Sequence, residues 1–301
     1  MKNLPLVSVI IPVYNDAERL QTCLAKLALQ TYSAYEVMVV DNGSRDLLTV
    51  QNIVAAYPFA QLLTESIPGS YAARNCGIAQ AQGDILAFTD ADCVPDLDWL
   101  EQGVEQIKTH PDCGLVAGAI HMVMQNPEHP VELYESLMGL SQQTFVGQHH
   151  YGATANMFTR PAVFERVGLF NTQLKSSGDV EWGQRVYAAG YSQIYADSVR
   201  IAHPARRSFA QLSRQASRHA GGFYDLRCQQ NPSWIGRNIA YFKLLGFHLL
   251  PPVMFAWRIA HHPQLKTPGQ IAKVVMTLSF VRLVTVKALL LLRFGGVSER
   301  E

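Results

Sequence analysis

The sequence has little charge, no paired cysteine motifs and no sign of disorder. Charged residues make up 16% of its 301 positions and hydrophobic residues 48%, whereas disordered chains combine low hydrophobicity with high net charge. The five cysteines are scattered without a Cys-x-x-Cys pair, so common zinc and dithiol motifs are absent and a reducing cytosol fits best. The first residues lack the long apolar segment and cleavage site of a signal peptide. We expect a globular chain with one catalytic domain and a tail.

Acidic residues are almost absent from the last third of the chain. Residues 1–205 hold 11 Lys+Arg and 21 Asp+Glu, a net charge of −10, while residues 206–301 hold 14 and 3, a net charge of +11. Such asymmetry predicts an anionic partner for the basic end, either a nucleic acid or a membrane. The apolar content of this segment favours the membrane, and we expect no nucleic acid partner.

The basic segment lacks an uninterrupted apolar run long enough to cross a membrane. Its two most apolar stretches are Ile239–Trp257 and Val274–Leu292, whereas a span needs about 20 predominantly apolar residues. The interruptions are Lys243, Pro251, Pro252, Arg282 and Lys287. We therefore expect a basic helical tail, residues 206–301, that lies peripherally on the cytoplasmic face of the cell membrane. The alternatives are a soluble helical hairpin and packing on another subunit in a homo-oligomer.

Apolar runs and amphipathic helices alternate through the first 90 residues. Repeated βαβ units of this kind build a parallel sheet with helices on both faces. The predicted strands are Val7–Val13, Glu36–Val40, Ala60–Thr64 and Ile85–Thr89, and helices are predicted after Asn15 or Asp16, near Asp46–Ala56 and near Ser70–Ala81. Ligands of open sheets bind beyond the carboxyl ends of the strands, where Asp41 and Asp90 fall.

The pattern loosens beyond residue 106. A strand is predicted near Leu115–Ala119, a helix at about Val131–Leu140, a helix at Gly178–Ala189 and one or two strands in Tyr191–His203. We predict a catalytic domain over residues 1–205, with a donor half (1–110) and an acceptor half (111–205).

Four segments stand in the order and spacing of family 2 glycosyltransferases. They are Ser8-Val9-Ile10-Ile11-Pro12-Val13-Tyr14-Asn15, Val40-Asp41-Asn42-Gly43-Ser44, Ala73-Arg74-Asn75-Cys76-Gly77 with Gly83-Asp84, and Asp90-Ala91-Asp92. The chain resembles that family over roughly residues 5–205. The resemblance implies the α/β GT-A fold, a Rossmann-like and mostly parallel sheet flanked by helices. It also implies a nucleotide diphosphate sugar donor, a divalent metal and inversion at the anomeric carbon.

The Asp90-Ala91-Asp92 segment suits metal-assisted chemistry. A diphosphate leaving group needs neutralisation, and Mg²⁺ and Mn²⁺ prefer carboxylate oxygens. By resemblance Asp90 reaches the ribose side of the nucleotide and Asp92 coordinates the metal, although a solvated acidic turn is the alternative. His203 resembles the histidine that completes the metal shell, with a structural histidine at a strand end as the alternative.

Other donor-side residues are assigned by the same resemblance. Asp41 would bind the nucleotide base, and Arg74 would bind the base or the diphosphate, while Pro12 and Tyr14 would wall the pocket. An Asx-turn is the alternative or additional role of Asp41. An ion pair on a helix surface is the alternative for Arg74.

The segment from Gly168 to Gly190 resembles the family's acceptor-side block. There a Glu-Asp pair usually supplies the general base through its aspartate, but here Gly178 replaces the glutamate and Asp179 stands in the position of the aspartate. A base is required because an alcohol must lose its proton as it attacks. A helix N-cap is the alternative for Asp179, and the role of Glu181 stays open.

Two further groups are weaker candidates. His149 and His150 could lie on an acceptor loop, although paired histidines are usually solvated. The other group, Arg214, Arg218 and Gly221-Gly222, could belong to a hinged segment that closes over the donor or to an ordinary basic helix.

The sequence thus predicts a transferase that moves a sugar from a UDP-sugar to a hydroxyl of a lipid-linked, glycolipid or polysaccharide acceptor. A soluble acceptor and a non-catalytic nucleotide-sugar binding module are the alternatives. A nucleotidyltransferase would carry a glycine-rich phosphate loop near the N-terminus, which residues 11–15 lack.

Overall fold

A computed structural model describes residues 4–229, 231, 233–250 and 253–297. The chain divides into two compact units. The first comprises residues up to 121 together with 140–173 and 178–203, and the second comprises 122–139, 174–177 and the residues from 204 onward. The second unit thus contains, besides the basic tail, two segments from the predicted acceptor half.

The described residues form eight strands and twelve α-helices. The strands are β1 (Val7–Val13), β2 (Tyr35–Asp41), β3 (Ala60–Thr64), β4 (Ile85–Thr89), β5 (Val94–Pro95), β6 (Cys113–Val123), β7 (Asn156–Thr159) and β8 (Ser192–Pro204). The helices are α1 (Ala17–Leu27), α2 (Leu47–Ala55), α3 (Ser70–Gln80), α4 (Trp99–Thr109), α5 (Pro130–Met138), α6 (Gln142–Thr144), α7 (Pro161–Val167), α8 (Gly178–Ala188), α9 (Phe209–Tyr224), α10 (Trp234–Leu249), α11 (Val253–Ala260) and α12 (Pro268–Arg293). Short π-helical turns follow α6 at Phe145–His149 and α9 at Asp225–Gln229.

The strands form one mixed sheet in the order β3-β2-β1-β4-β7-β6-β8-β5. The first four strands in that order are parallel, as predicted, whereas β7 runs antiparallel to both β4 and β6 and β5 runs antiparallel to β8. Strand β1 lies between β2 and β4 and is buried on both faces, which explains its nearly continuous apolar sequence. Because Val13 pairs with Asp41, the carboxyl ends of β1 and β2 reach the same edge of the sheet.

The sequence did not predict β5, β7 or α7, and β8 is a single strand. The buried Asn156, at the start of β7, connects this half of the sheet. It accepts a hydrogen bond from Trp99 Nε1 at 2.9 Å and donates to the carbonyls of Ala119 and Val199, both at 2.9 Å. One amide therefore satisfies groups on α4, β6 and β8, which no local pattern reveals.

The second unit is built around α12. Its buried residues Val274 and Leu278 share an apolar cluster with Leu133 of α5 and Leu212 of α9. Near its other end, Leu289 and Leu292 join a second cluster with Tyr224 and Tyr241. Side-chain caps begin the three longest helices of this unit, at Ser208, Ser233 and Thr267.

We predict that Asn156→Ala destabilises the first unit. The change leaves an indole N–H and two carbonyls without their partner, and each such buried group costs about 1–3 kcal/mol. The free energy of unfolding, measured by urea denaturation, should fall by about 3 kcal/mol or more. Asn52→Ala on the exposed face of α2 is the control. Equal stability of the two variants would contradict this role of Asn156.

Candidate active site

Asp41 ends β2 with its two carboxylate oxygens in different environments. Oδ2 accepts hydrogen bonds from the backbone N–H groups of Gly43 and Ser44, both at 3.0 Å. Oδ1 is buried and has no hydrogen-bond partner among the described residues. The Asx-turn predicted from the sequence is therefore present, and it leaves one oxygen available to a ligand.

Arg74 of α3 is buried, with only 5% of its side chain exposed, and its guanidinium contacts Asp90 Oδ1 at 2.5 Å. The alternative of an ion pair on a helix surface is therefore wrong. Arg74 Nε is also buried and has no hydrogen-bond partner within the described part of the chain. A buried charge requires a compensating partner, and Asp90 supplies it directly after β4.

Asp92, in the turn after β4, and His203 of β8 are brought together, although 111 positions separate them in the sequence. His203 Nε2 lies 3.7 Å from Asp92 Oδ1, and Arg19 Nη1 lies 3.4 Å from Asp92 Oδ2. The potential ligand atoms of Asp92, Cys93 and His203 all lie within 4.8 Å of one another. Carboxylate and imidazole are suitable ligands for Mn²⁺, and the carboxylate also suits Mg²⁺.

Asp179 is the second residue of α8, so it lies inside the helix and is not its N-cap. Its Oδ1 accepts hydrogen bonds from Tyr71 Oη at 3.2 Å and from the Val180 N–H at 2.9 Å. The surrounding protein desolvates this partly exposed carboxylate and raises its pKa, although Arg74 and the two hydrogen bonds act in the opposite direction. A carboxylate with a raised pKa is suited to accepting a proton.

Glu181 has a structural partner. Its carboxylate forms a two-point contact with Arg185, at 2.7 and 2.9 Å. Arg185 also donates to the carbonyls of Val167, Gly168 and Leu169, and so holds the loop after α7. Glu181 therefore supports the acceptor-side block through Arg185.

The remaining first-unit candidates lie near the end of β1 and at the π-helical turn after α6. Tyr14 is 41% exposed and Pro12 is half-buried. The backbone of Asn15, next to Tyr14, donates to Ser44 Oγ at 2.8 Å, which fastens this loop to the turn at Asp41. His149 and His150 lie at the π-helical turn, where His150 stacks on Tyr187 with ring centroids 3.7 Å apart.

The predicted hinge at Gly221-Gly222 is not supported. Both glycines are buried within α9. A Cβ at Gly222 would lie 2.8 Å from Ser176 Cβ and from the Ser176 carbonyl oxygen, so close packing requires glycine there. Arg214 and Arg218 lie on the same helix, and Arg214 is exposed.

Comparison with known proteins decides the family. The family model for glycosyl transferase family 2 matches residues 8–168, which is 161 of the 301 residues. The chain belongs to glycosyl transferase family 2. It is 38% identical over 290 residues to glycosyltransferase AglE of Haloferax volcanii, covering 94% of this chain and 91% of that protein. It is 31% identical over 208 residues to the pre-mycofactocin glycosyltransferase of Mycobacterium tuberculosis, covering 66% of this chain and 43% of that protein.

Solved structures agree with the family at the level of the fold. The mannosyltransferase PcManGT from Pyrobaculum calidifontis, solved in complex with GDP-Man and Mn²⁺, aligns with a TM-score of 0.65 at 21% identity and covers 96% of this chain and 87% of that chain. Residues 1–349 of Staphylococcus aureus TarS align with a TM-score of 0.55 at 15% identity, over 92% and 91%. The predicted GT-A fold is confirmed, and this family 2 member is a glycosyltransferase.

Sequence reasoning missed Arg19 and Tyr71 in this family 2 site. Arg19 lies on the first turn of the helix that follows β1, and it pairs with Asp16 at 2.7 Å as well as with Asp92. Its position beyond a strand end was a usable indication. Tyr71 gave none, because its contact with Asp179 joins residues 108 positions apart.

Proposed function

We propose that this protein is an inverting glycosyltransferase that moves a sugar from a nucleoside diphosphate to an acceptor hydroxyl. The observation that carries the proposal is a chain of contacts: Asp90 pairs with Arg74, Arg74 lies over the Tyr71 ring, and Tyr71 binds Asp179. This chain joins the loop after β4 to the helix that carries the candidate base.

The donor side offers unpaired polar atoms for a nucleotide. Asp41 Oδ1 can accept a hydrogen bond from a base N–H, and Arg74 Nε can donate to a base or phosphate oxygen. Pro12 and Tyr14 would wall this pocket. Uridine stays the predicted base, and a binding panel of UDP-sugars and GDP-sugars, with and without Mn²⁺, tests it.

A divalent cation, Mn²⁺ or Mg²⁺, would be held by Asp92 and His203. When bound, it would neutralise the charge that develops on the departing diphosphate. In the structure, Arg19 contacts the Asp92 carboxylate and compensates part of its negative charge.

In the proposed reaction the Asp179 carboxylate removes the proton of the acceptor hydroxyl as the oxygen attacks the anomeric carbon. The new glycosidic bond forms while the bond from that carbon to the diphosphate oxygen breaks, and the configuration inverts. The proton remains on Asp179 until solvent removes it. Arg74 lies close enough to stabilise the ionised carboxylate that starts each cycle.

Asp92→Ala should weaken Mn²⁺ binding by at least about tenfold, because it removes the only carboxylate from the proposed ligand set. Isothermal titration or electron paramagnetic resonance of Mn²⁺ measures this without turnover. Asp96→Ala, an exposed carboxylate four positions away, is the matched control. Unchanged Mn²⁺ affinity in Asp92→Ala would remove Asp92 from the metal site.

Asp179→Asn should bind donor nearly normally but lose about 10²–10⁴ in kcat, the usual contribution of a positioned general base. In the wild type, kcat/KM should fall as the pH drops through the pKa of Asp179, because the base must be ionised. Burial places that pKa above the ordinary aspartate value of 3.8. Glu181→Gln is the control and should keep most of the turnover, since Glu181 is engaged with Arg185.

Loss of turnover in Glu181→Gln with normal turnover in Asp179→Asn would reverse the assignment. A wild-type protein that binds nucleotide sugars but transfers none to any hydroxyl would favour the alternative of a non-catalytic binding module.

We further propose that the second unit attaches the enzyme to an anionic membrane, where a lipid-linked, glycolipid or polysaccharide acceptor is elongated. Its surface exposes large apolar side chains, each more than half exposed: Trp234, Ile235, Phe242, Phe247, Leu249, Leu250, Trp257, Leu283 and Phe294. Tryptophan, phenylalanine and leucine side chains beside basic residues are typical of segments that lie on a membrane surface. The net charge of +11 on residues 206–301 favours an anionic lipid surface over another copy of the chain.

Helix α12 modifies the sequence interpretation of the tail. At 26 residues it is long and apolar enough to cross a membrane by length and composition, so the expectation of a poor span is not supported for this stretch.

Several side chains of α12 are nevertheless buried within the second unit: Val274, Thr277, Leu278, Thr285, Leu289 and Leu292. Arg282 donates to the Leu250 carbonyl and lies 5.2 Å from the Phe247 ring centroid. These contacts hold α12 to the rest of the second unit, and we propose a peripheral attachment for that unit. Pro251 and Pro252 lie outside the described residues.

The second unit contains a cavity of about 380 Å³ that is suited to binding an anionic lipid headgroup. Arg237, Arg293 and the exposed Trp234 line it. Guanidinium groups bind phosphate oxygens well, and an exposed tryptophan suits the membrane interface.

The full-length protein should co-sediment with anionic liposomes at low salt and only partly detach at high salt, because shallow apolar insertion is not screened. Ile235→Ser with Leu249→Ser should reduce binding at high salt. Leu48→Ser with Leu97→Ser, equally exposed apolar residues of the first unit, is the matched control. Protein that stays in the supernatant at low salt, and sediments as a dimer in the ultracentrifuge, would assign this surface to a subunit contact.

A further inference from the structure

Position 178 holds glycine where the family resemblance leads one to expect glutamate, and the first unit contains the reason. A Cβ at Gly178 would lie 2.7–2.8 Å from the Cε2, Cδ2 and Cζ atoms of Tyr71, closer than real Cβ contacts. The Tyr71 ring is buried in the apolar cluster around Phe170, whose ring centroid lies 5.7 Å away. Because the ring is packed on other sides, it cannot readily move to admit a side chain.

The same ring directs its hydroxyl at the candidate base. Tyr71 Oη donates to Asp179 Oδ1 at 3.2 Å. The Arg74 guanidinium also lies over this ring, 5.6 Å from its centroid. A phenol in this place can hold the carboxylate of Asp179 in one orientation while leaving Oδ2 to a substrate.

We infer that Tyr71 is a positioning residue for Asp179: its ring fills the space of a side chain at position 178, and its hydroxyl orients the carboxylate that receives the acceptor proton. This inference rests on the proposed role of Asp179 as the base.

The groups that face Asp179 define the pH behaviour. Tyr71 and Arg74 face it from α3, and Tyr151 interacts with it from the segment before β7. Burial raises the pKa of Tyr71 and of Tyr151 above that of an ordinary phenol, so both stay neutral. The Tyr71 hydrogen bond favours the ionised carboxylate and lowers the pKa of Asp179. Its removal should therefore raise this pKa and move the acid limb of kcat/KM to higher pH.

Tyr71→Phe keeps the ring and removes the hydroxyl. We expect kcat to fall about 10- to 150-fold, the scale of one lost hydrogen bond to a charged group, with an unchanged Kd for the donor. The acid limb should move to higher pH, and the Asp179 carboxyl resonance, followed by NMR, should titrate at higher pH. Tyr195→Phe is the matched control, because it removes a phenol that donates to the exposed Asp197 at 3.0 Å. An unchanged kcat and an unchanged Asp179 titration in Tyr71→Phe would overturn the inference.

A second experiment tests whether the Tyr71 ring fills the space of a side chain at position 178. Gly178→Ala should lower kcat strongly in the wild-type background and much less in a Tyr71→Ala background, since the small residue removes the clash. An equal effect in both backgrounds would show that glycine is not required by Tyr71. These outcomes are separable from failure of the proposed function: an active Asp179→Asn removes the base role, whereas the NMR titration of Asp179 in Tyr71→Phe reports the contact without any turnover.

Discussion

The ion pair between the buried Arg74 and the partly exposed Asp90 is the interaction on which the site depends. A guanidinium taken out of water is costly unless a carboxylate and further contacts compensate it, and here the compensating carboxylate follows β4 directly. Arg74 also lies over the Tyr71 ring and lowers the pKa of Asp179 against the effect of burial. One positive charge thus acts on two carboxylates, that of Asp90 after β4 and that of Asp179 on α8.

The sequence predicts the part of the site that lies on the parallel half of the sheet better than the part on the antiparallel half. Strands β1, β2 and β4 are parallel neighbours, so the residues that follow them meet at one edge, and local patterns were enough to place Asp41 and Asp90 there. The bounds of these strands differ from the predicted ones by at most one residue. The antiparallel half depends on Asn156, whose hydrogen bonds join residues 37 to 57 positions apart, and no periodicity encodes such a contact.

The sequence also predicted the proposed acceptor side only in part. The resemblance pointed to Asp179 but left Gly178 as an unexplained departure, because the explanation is the ring of Tyr71 on another helix. Glu181 was open for the same reason: its partner Arg185 follows one helical turn later, but the carbonyls that Arg185 holds lie before the helix begins. The composition of the tail indicated a basic apolar segment, whereas the participation of residues 122–139 in the second unit required the three-dimensional contacts.

In the proposed function, Asp41 has two roles: it stabilises the turn after β2 and it binds the donor base. Its Oδ2 closes the turn after β2, while its Oδ1 has no hydrogen-bond partner in the described part of the chain. Because the proposed base contact and the turn share one carboxylate, a substitution of Asp41 made to change the nucleotide preference would also alter the turn. In the proposed donor pocket, a change of preference is therefore expected first at exposed neighbours such as Tyr14, which is 41% exposed.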